Sequence, residues 1–163
     1  MADLVTHVAT ALLAKAGTGG RDVVTLAVGV VLPDLLGRMP VVVGLALANE
    51  GVPLPDVVIY GWAVLHLPLG IVPLCFLLSQ AFVHTRAAFL NLTAGCFLHL
   101  ALDLLQRHTG SGYPLLFPFS DWDWELGLLG TEDTVPWSLP LLVLGCVGLW
   151  LRRRRSASAE AQR

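Results

Sequence analysis

Charge is what this sequence has least of: only 13% of its 163 residues are Asp, Glu, Lys or Arg. An ordinary globular domain carries about a quarter. Hydrophobic residues make up 55% and mean hydropathy is +0.71, which shifts the expectation from a soluble protein to a membrane protein. The net charge of −2 provides no basic face to neutralise phosphates and argues against a nucleic-acid partner. Cysteine is scarce as well. Cys75, Cys96 and Cys146 are odd in number, far apart and each set in an apolar run, so they read as small buried packing residues and not as a disulfide framework or thiolate ligands. The opening "MADLVTHVATALLAKAG" lacks the basic region of a cleavable signal and carries Asp3 and His7 instead. The length suits one domain, taken as residues 1–151 with a basic, polar and disordered tail at 152–163.

What is present is a series of apolar runs. Residues 4–16 have a helical period, with Leu4, Val5, Val8, Leu12 and Leu13 on one side and Asp3, Thr6, His7 and Thr10 on the other. "GTGGR" (17–21) breaks it. The run 23–32 has ten residues, too few for a bilayer, which needs about 20. Pro33 marks a boundary or kink there, since proline disfavours the α conformation in the residue before it. Apolar residues resume at 41–48, and "NEGVPLPD" (49–56) reads as a loop. Longer runs follow at 57–83 and 87–105, separated by "HTR". Residues 106–135 are polar, then acidic and aromatic, and the last apolar run (135–151) stops at four arginines. The fold class expected is an all-α membrane bundle of about four hydrophobic spans plus an N-terminal amphipathic helix.

Basic residues favour the cytoplasmic side. Lys15, Arg21, Arg86 and Arg152–Arg155 mark one set of segment ends, and Glu50, Asp56, Asp121, Asp123, Glu132 and Asp133 mark the other, while Arg107 runs against the pattern. The tail is therefore expected inside and the 106–135 segment outside.

Within the apolar segments the ionisable residues are His7, Asp34, Arg38, His66, His99 and Asp103. Charges in a membrane are costly, so such residues face a cavity or one another. His7 lies ten residues before Gly17 and Asp34 thirteen after Arg21. In an antiparallel hairpin they reach similar heights, roughly 15–20 Å from the turn. A second hairpin folded at 84–86 brings His66, His99 and Asp103 level, roughly 20–27 Å from its own turn. Three imidazoles and two carboxylates form an N/O set suited to Zn²⁺, Mn²⁺ or Fe²⁺, and the absence of thiolates argues against a closed structural zinc site. Such an ion activates water and polarises a phosphoryl or acyl oxygen. A proton or ion pathway uses the same residue types, but about four spans without an inverted repeat weaken a transporter. A structural polar or metal cluster is the remaining alternative. Arg38, four residues after Asp34, reads either as its salt-bridge partner or as a holder of an anionic substrate. His84 and His108 lie in polar turns and read as surface histidines. Tyr113, Phe117, Phe119, Trp122 and Trp124 fit an interfacial aromatic layer, or a lid with Ser111 and Ser120 near the substrate.

"THVATALLAKA", "VVLPDLLGR", His66 before an apolar helix, "HLALDLL" and "YPLLFPFS" come in an order that resembles bacterial inner-membrane metal-dependent hydrolases. These include the group described as LexA-binding and inner-membrane-associated. The motif logic is similar to the zinc-dependent phospholipase C and single-strand-nuclease superfamily, all-α enzymes with an H-x-x-x-D/E helix pair. Of the relatives' "HR..THS" motif only His66 is present. The resemblance spans most of residues 4–120 and implies metal ligation by His7, Asp34, His66, His99 and Asp103. Asp34 and Arg38 are then the candidate catalytic residues, with a lipid-like phosphoester or other small molecule as substrate.

Overall fold

The computed structural model describes residues 3–19, 22–52, 54–108, 112–130 and 132–161. Arg21 and Ser111, invoked above for orientation and for a lid, lie outside the described residues. Seven α-helices follow one another: α1 (Leu4–Thr18), α2 (Val23–Leu32), α3 (Met39–Asn49), α4 (Asp56–Val64), α5 (Pro68–Ser79), α6 (Thr85–Leu104) and α7 (Val135–Ala161). No strand occurs among the described residues. Among the described residues three helical spans are long and apolar enough to cross a membrane, at Val23–Asn49, Thr85–Leu104 and Val135–Ala159. The pair α4 and α5 meets at 72° and forms either a broken fourth span or a re-entrant loop. The all-α bundle expected from the sequence is the observed architecture.

Pro33 ends α2 as an α-helix, as expected, but the chain stays helical. A π-helical stretch, Pro33–Arg38, joins α2 to α3, with Met39 N–H donating to Asp34 O five residues back. The runs at 23–32 and 41–48 thus belong to one span. Proline has no N–H to offer the carbonyl four residues behind it. That carbonyl, Gly29 O, accepts instead from Cys96 Sγ at 3.0 Å.

Packing of α2 on α6 is close because glycines face backbone on both sides. A Cβ at Gly29 would stand 2.2 Å from Leu92 O, and one at Gly95 2.4 Å from Leu26 O. The buried stripe of α6 (Ala88, Leu92, Cys96, His99, Leu100, Asp103) has helical spacing. Leu92, Cys96 and Leu100 meet Leu32, Ile71 and Cys75 in the main apolar core. Cys75 and Cys96 are free, fully buried and 3.6 Å apart at sulfur, as packing residues should be.

The amphipathic helix α1 is turned inside out relative to a soluble one. Thr6, His7, Ala9 and Ala11 are buried, while Leu4 and Val5 are exposed. In hydrocarbon the apolar side has no reason to leave the surface, so the polar side turns inward. α1 packs on α7, where Gly145 and Gly148 leave room for Leu12 and Ala16. α7 continues as helix through 152–161, which the sequence reading sets aside as a disordered tail. Arginine and alanine are good helix formers, and Ser158 Oγ donates to Arg154 O.

Candidate metal centre

Five side chains from four parts of the chain converge: His7 of α1, Asp34 of the π-helical stretch, His66 at the α4–α5 break, and His99 and Asp103 of α6. His66 Nε2 and His99 Nε2 are 3.0 Å apart. Asp103 lies 3.3 Å from His7 Nε2 and 3.3 Å from His99 Nε2, and 3.7 Å from His66 Nε2. Asp34 Oδ1 lies 3.5 Å from His66 Nε2 and 3.8 Å from His99 Nε2. The His7 and His99 rings stack at 4.0 Å. His7, His99 and Asp103 are fully buried, while the side chain of Asp34 is 15% exposed and marks the open side.

The local structure explains each placement. His99 and Asp103 are one helical turn apart on the buried stripe of α6. His66 sits where the chain turns between α4 and α5, and Gly37 packs directly under it, a Cβ there falling 2.7 Å from His66 N. The π-helical stretch presents Asp34 inward, in line with the tendency of such insertions to occur at functional sites. Val30 O lies 2.8 Å from His99 Nδ1. A carbonyl only accepts, so Nδ1 carries the proton and Nε2 offers its lone pair to the cluster.

The arrangement is under-satisfied without a cation. His7 Nδ1 and Nε2, Asp34 Oδ1 and Asp103 Oδ1 are buried without a well-aligned hydrogen bond, His7 Nε2 and Asp103 Oδ1 having only an ion-pair contact with each other at 3.3 Å. A buried unpaired polar atom costs about 1–3 kcal/mol, and a cation bound by these atoms removes that cost. Two overlapping groups have ligand atoms all within 4.8 Å of one another: His7, Asp34 and His99, and His66, His99 and Asp103. Ligands about 2.1 Å from one ion stand about 3.0–3.5 Å apart at its corners, close to the pair distances above. The residues present therefore fit a first-row divalent ion. With His99 Nε2 accepting, the hydrogen between the two rings belongs to His66 Nε2, and binding an ion there displaces it to Nδ1 or to solvent.

Tyr113 and His108 also belong to the site, whereas the sequence alone reads Tyr113 as an interfacial aromatic or part of a lid and His108 as a surface histidine. The Tyr113 hydroxyl donates to Asp103 Oδ2 at 2.8 Å, and its ring stacks on His66 at 5.3 Å. Burial, reinforced by the neighbouring Asp103 carboxylate, pushes the phenol above its usual range, which keeps it a neutral donor. His108 is not a surface histidine: it meets Tyr113 edge-on at 4.7 Å, with Nδ1 3.4 Å from Glu125 Oε2. Tyr113 falls ten residues after Asp103, and nothing in the local pattern separates it from the interfacial aromatics around it. Phe119 and Trp122, by contrast, are exposed, as that layer requires. Tyr113→Phe should lower metal affinity about 10–100-fold, the usual cost of losing a bond that orients a ligand. Titration with a chromophoric chelator would measure it, and unchanged affinity would remove Tyr113 from the site.

Arg38 makes no ion pair with Asp34 among the described residues. Asp34 faces the imidazoles, and Arg38 lines a cavity of about 390 Å³ with His66, His108 and Tyr113.

The YdjM inner membrane protein family matches the chain over residues 2–161. The chain belongs to that family. Family and apolar helices together make it a membrane protein. No curated protein and no solved structure matches it. The family's description names a location and no reaction.

Proposed function

We propose that the protein is a membrane-bound, metal-dependent hydrolase acting on a phosphoester of a lipid-like substrate. The observation that carries this reading is the set of buried ligand atoms on His7, Asp34 and Asp103, without a well-aligned hydrogen bond, beside an open cavity. His7, Asp34, His66, His99 and Asp103 hold the ion, zinc above manganese or iron. When bound, it supplies Lewis acidity and a water of lowered pKa. Val30 O fixes the His99 tautomer, and Tyr113 fixes the Asp103 carboxylate. Arg38 binds phosphate oxygens at the cavity wall, for which a guanidinium fork is well shaped. The hydrolase and phospholipase C-like character is supported by the motif order and donor set. A cytoplasmic tail is supported by the clustering of basic residues at one end, where Arg152 Nη1 donates to Ala16 O and Gly17 O and Lys15 bonds Asn91.

The test uses the purified, metal-loaded full chain against a panel of phospholipids and alkyl phosphodiesters. Arg38→Gln should raise KM about tenfold or more, the cost of one charge-assisted hydrogen bond, with bound metal unchanged. Metal binding with no turnover of any phosphoester would overturn the hydrolase and leave a structural metal cluster.

A further inference from the structure

We propose that the groove between α1 and α2 seats an acyl chain of a phosphate-bearing lipid and delivers its phosphate to Arg38. This rests on the reading of the cluster as a phosphoester hydrolase and adds a route for the substrate.

Three adjoining cavities make up the path. The first, about 460 Å³, lies between α1 and α2 and is lined only by apolar side chains, among them Val8, Leu12, Val24, Val28, Val31 and Leu35. The second, about 230 Å³, shares Val31 and Leu35 with it and ends on Asp34 and Arg38. The third is the cavity of about 390 Å³ that shares Arg38 and reaches His66, His108 and Tyr113. The walls of the first two cavities are apolar, with Asp34 and Arg38 both at the end of the second, and polar surface first appears in the third, where Arg38 is the fixed cation. That is the order of chain, phosphate and reacting centre in a membrane lipid.

The lining is open to lipid, since Val24, Val28 and Leu35 are exposed. No carboxylate lines the third cavity, and Arg38 is the fixed cation on its wall. An apolar chain needs no polar partner along the groove and meets its first cation at Arg38, so a phosphate on that chain stops there. Asp34, the open-side member of the cluster, lines the same end of the path.

The experiment places the full chain in phosphatidylcholine nanodiscs with a trace of phosphatidic acid carrying a diazirine on one acyl chain. After illumination, adducts are mapped by mass spectrometry, and bound metal is measured on the same sample. Adducts should concentrate on Val24, Val28, Val31 and Leu35. Val28→Trp, which fills the groove from a lipid-exposed position, should abolish them, whereas Val143→Trp on the exposed face of α7 should not. Arg38→Gln, or a diacylglycerol tracer without phosphate, should reduce labelling about tenfold. Adducts spread evenly over α3 and α7, or unchanged labelling in Val28→Trp, would overturn the groove. Equal labelling by the diacylglycerol tracer would overturn the phosphate assignment. Labelling in the groove without bound metal would leave the lipid site standing and remove the hydrolase; bound metal with scattered labelling would do the reverse.

Discussion

His99→Ala protein is expected to keep its helices yet hold less than about a tenth of the divalent metal bound by the unaltered chain. Losing an orienting partner already costs 10–100-fold in affinity, and His99 is a ligand. It is also the one residue common to both groups of three ligands, so neither group survives its removal. His84→Ala is the control, because His84 is exposed. Elemental analysis of both variants beside the wild-type protein, with circular dichroism for helix content, decides the matter. Equal metal in the two variants, or none in any sample, would sink the metal centre. Metal and protons compete for the same ligand lone pairs, so wild-type loading should weaken as pH falls.

Gly95→Leu should do its damage farther from the cluster. The new side chain would have to enter where a Cβ already stands 2.4 Å from Leu26 O and 2.8 Å from Val30 N. Backbone on both sides cannot rotate away, so α2 and α6 must separate. Overpacking costs about 1–3 kcal/mol and sometimes more. Separation also draws Val30 O from His99 Nδ1, now 2.8 Å away, and releases the tautomer it fixes. The expected result is a lowered Tm together with reduced metal content. Gly61→Leu is the comparison, since a Cβ there meets nothing within 4 Å. If Gly95→Leu loaded metal and melted as Gly61→Leu does, the close approach of α2 and α6 would not position the site.

Several features were legible in the sequence because they depend on residue type and local spacing. Low charge and long apolar runs mark the bilayer. The rarity of ionisable residues in those runs singles out His7, Asp34, His66, His99 and Asp103, and counting from the breaks brings them to a common depth. Local spacing could not reveal how each helix is rotated. Arg38 sits four residues from Asp34 yet does not pair with it, because Asp34 turns to imidazoles contributed by α4–α5 and α6. Tyr113 and His108 come from a polar segment without helical period, so their place depends on how that segment folds back over α6. Pro33 reads as a boundary or kink because proline disfavours the α conformation before it; only the fold shows that a π-helical stretch and the Cys96 thiol carry the helical run past it.

By itself, then, the sequence determined the solvent this protein folds in and the donor atoms it brings together. Hydropathy and side-chain chemistry are properties of residues and survive without a partner. Only the tertiary structure decided that those atoms meet beside a cavity, with Val30 O, Tyr113 and Glu125 orienting the rings and carboxylates around it. Those contacts join residues from 10 to 69 positions apart, and the longest of them, Val30 O to His99, exists because glycines on α2 and α6 let two backbones touch.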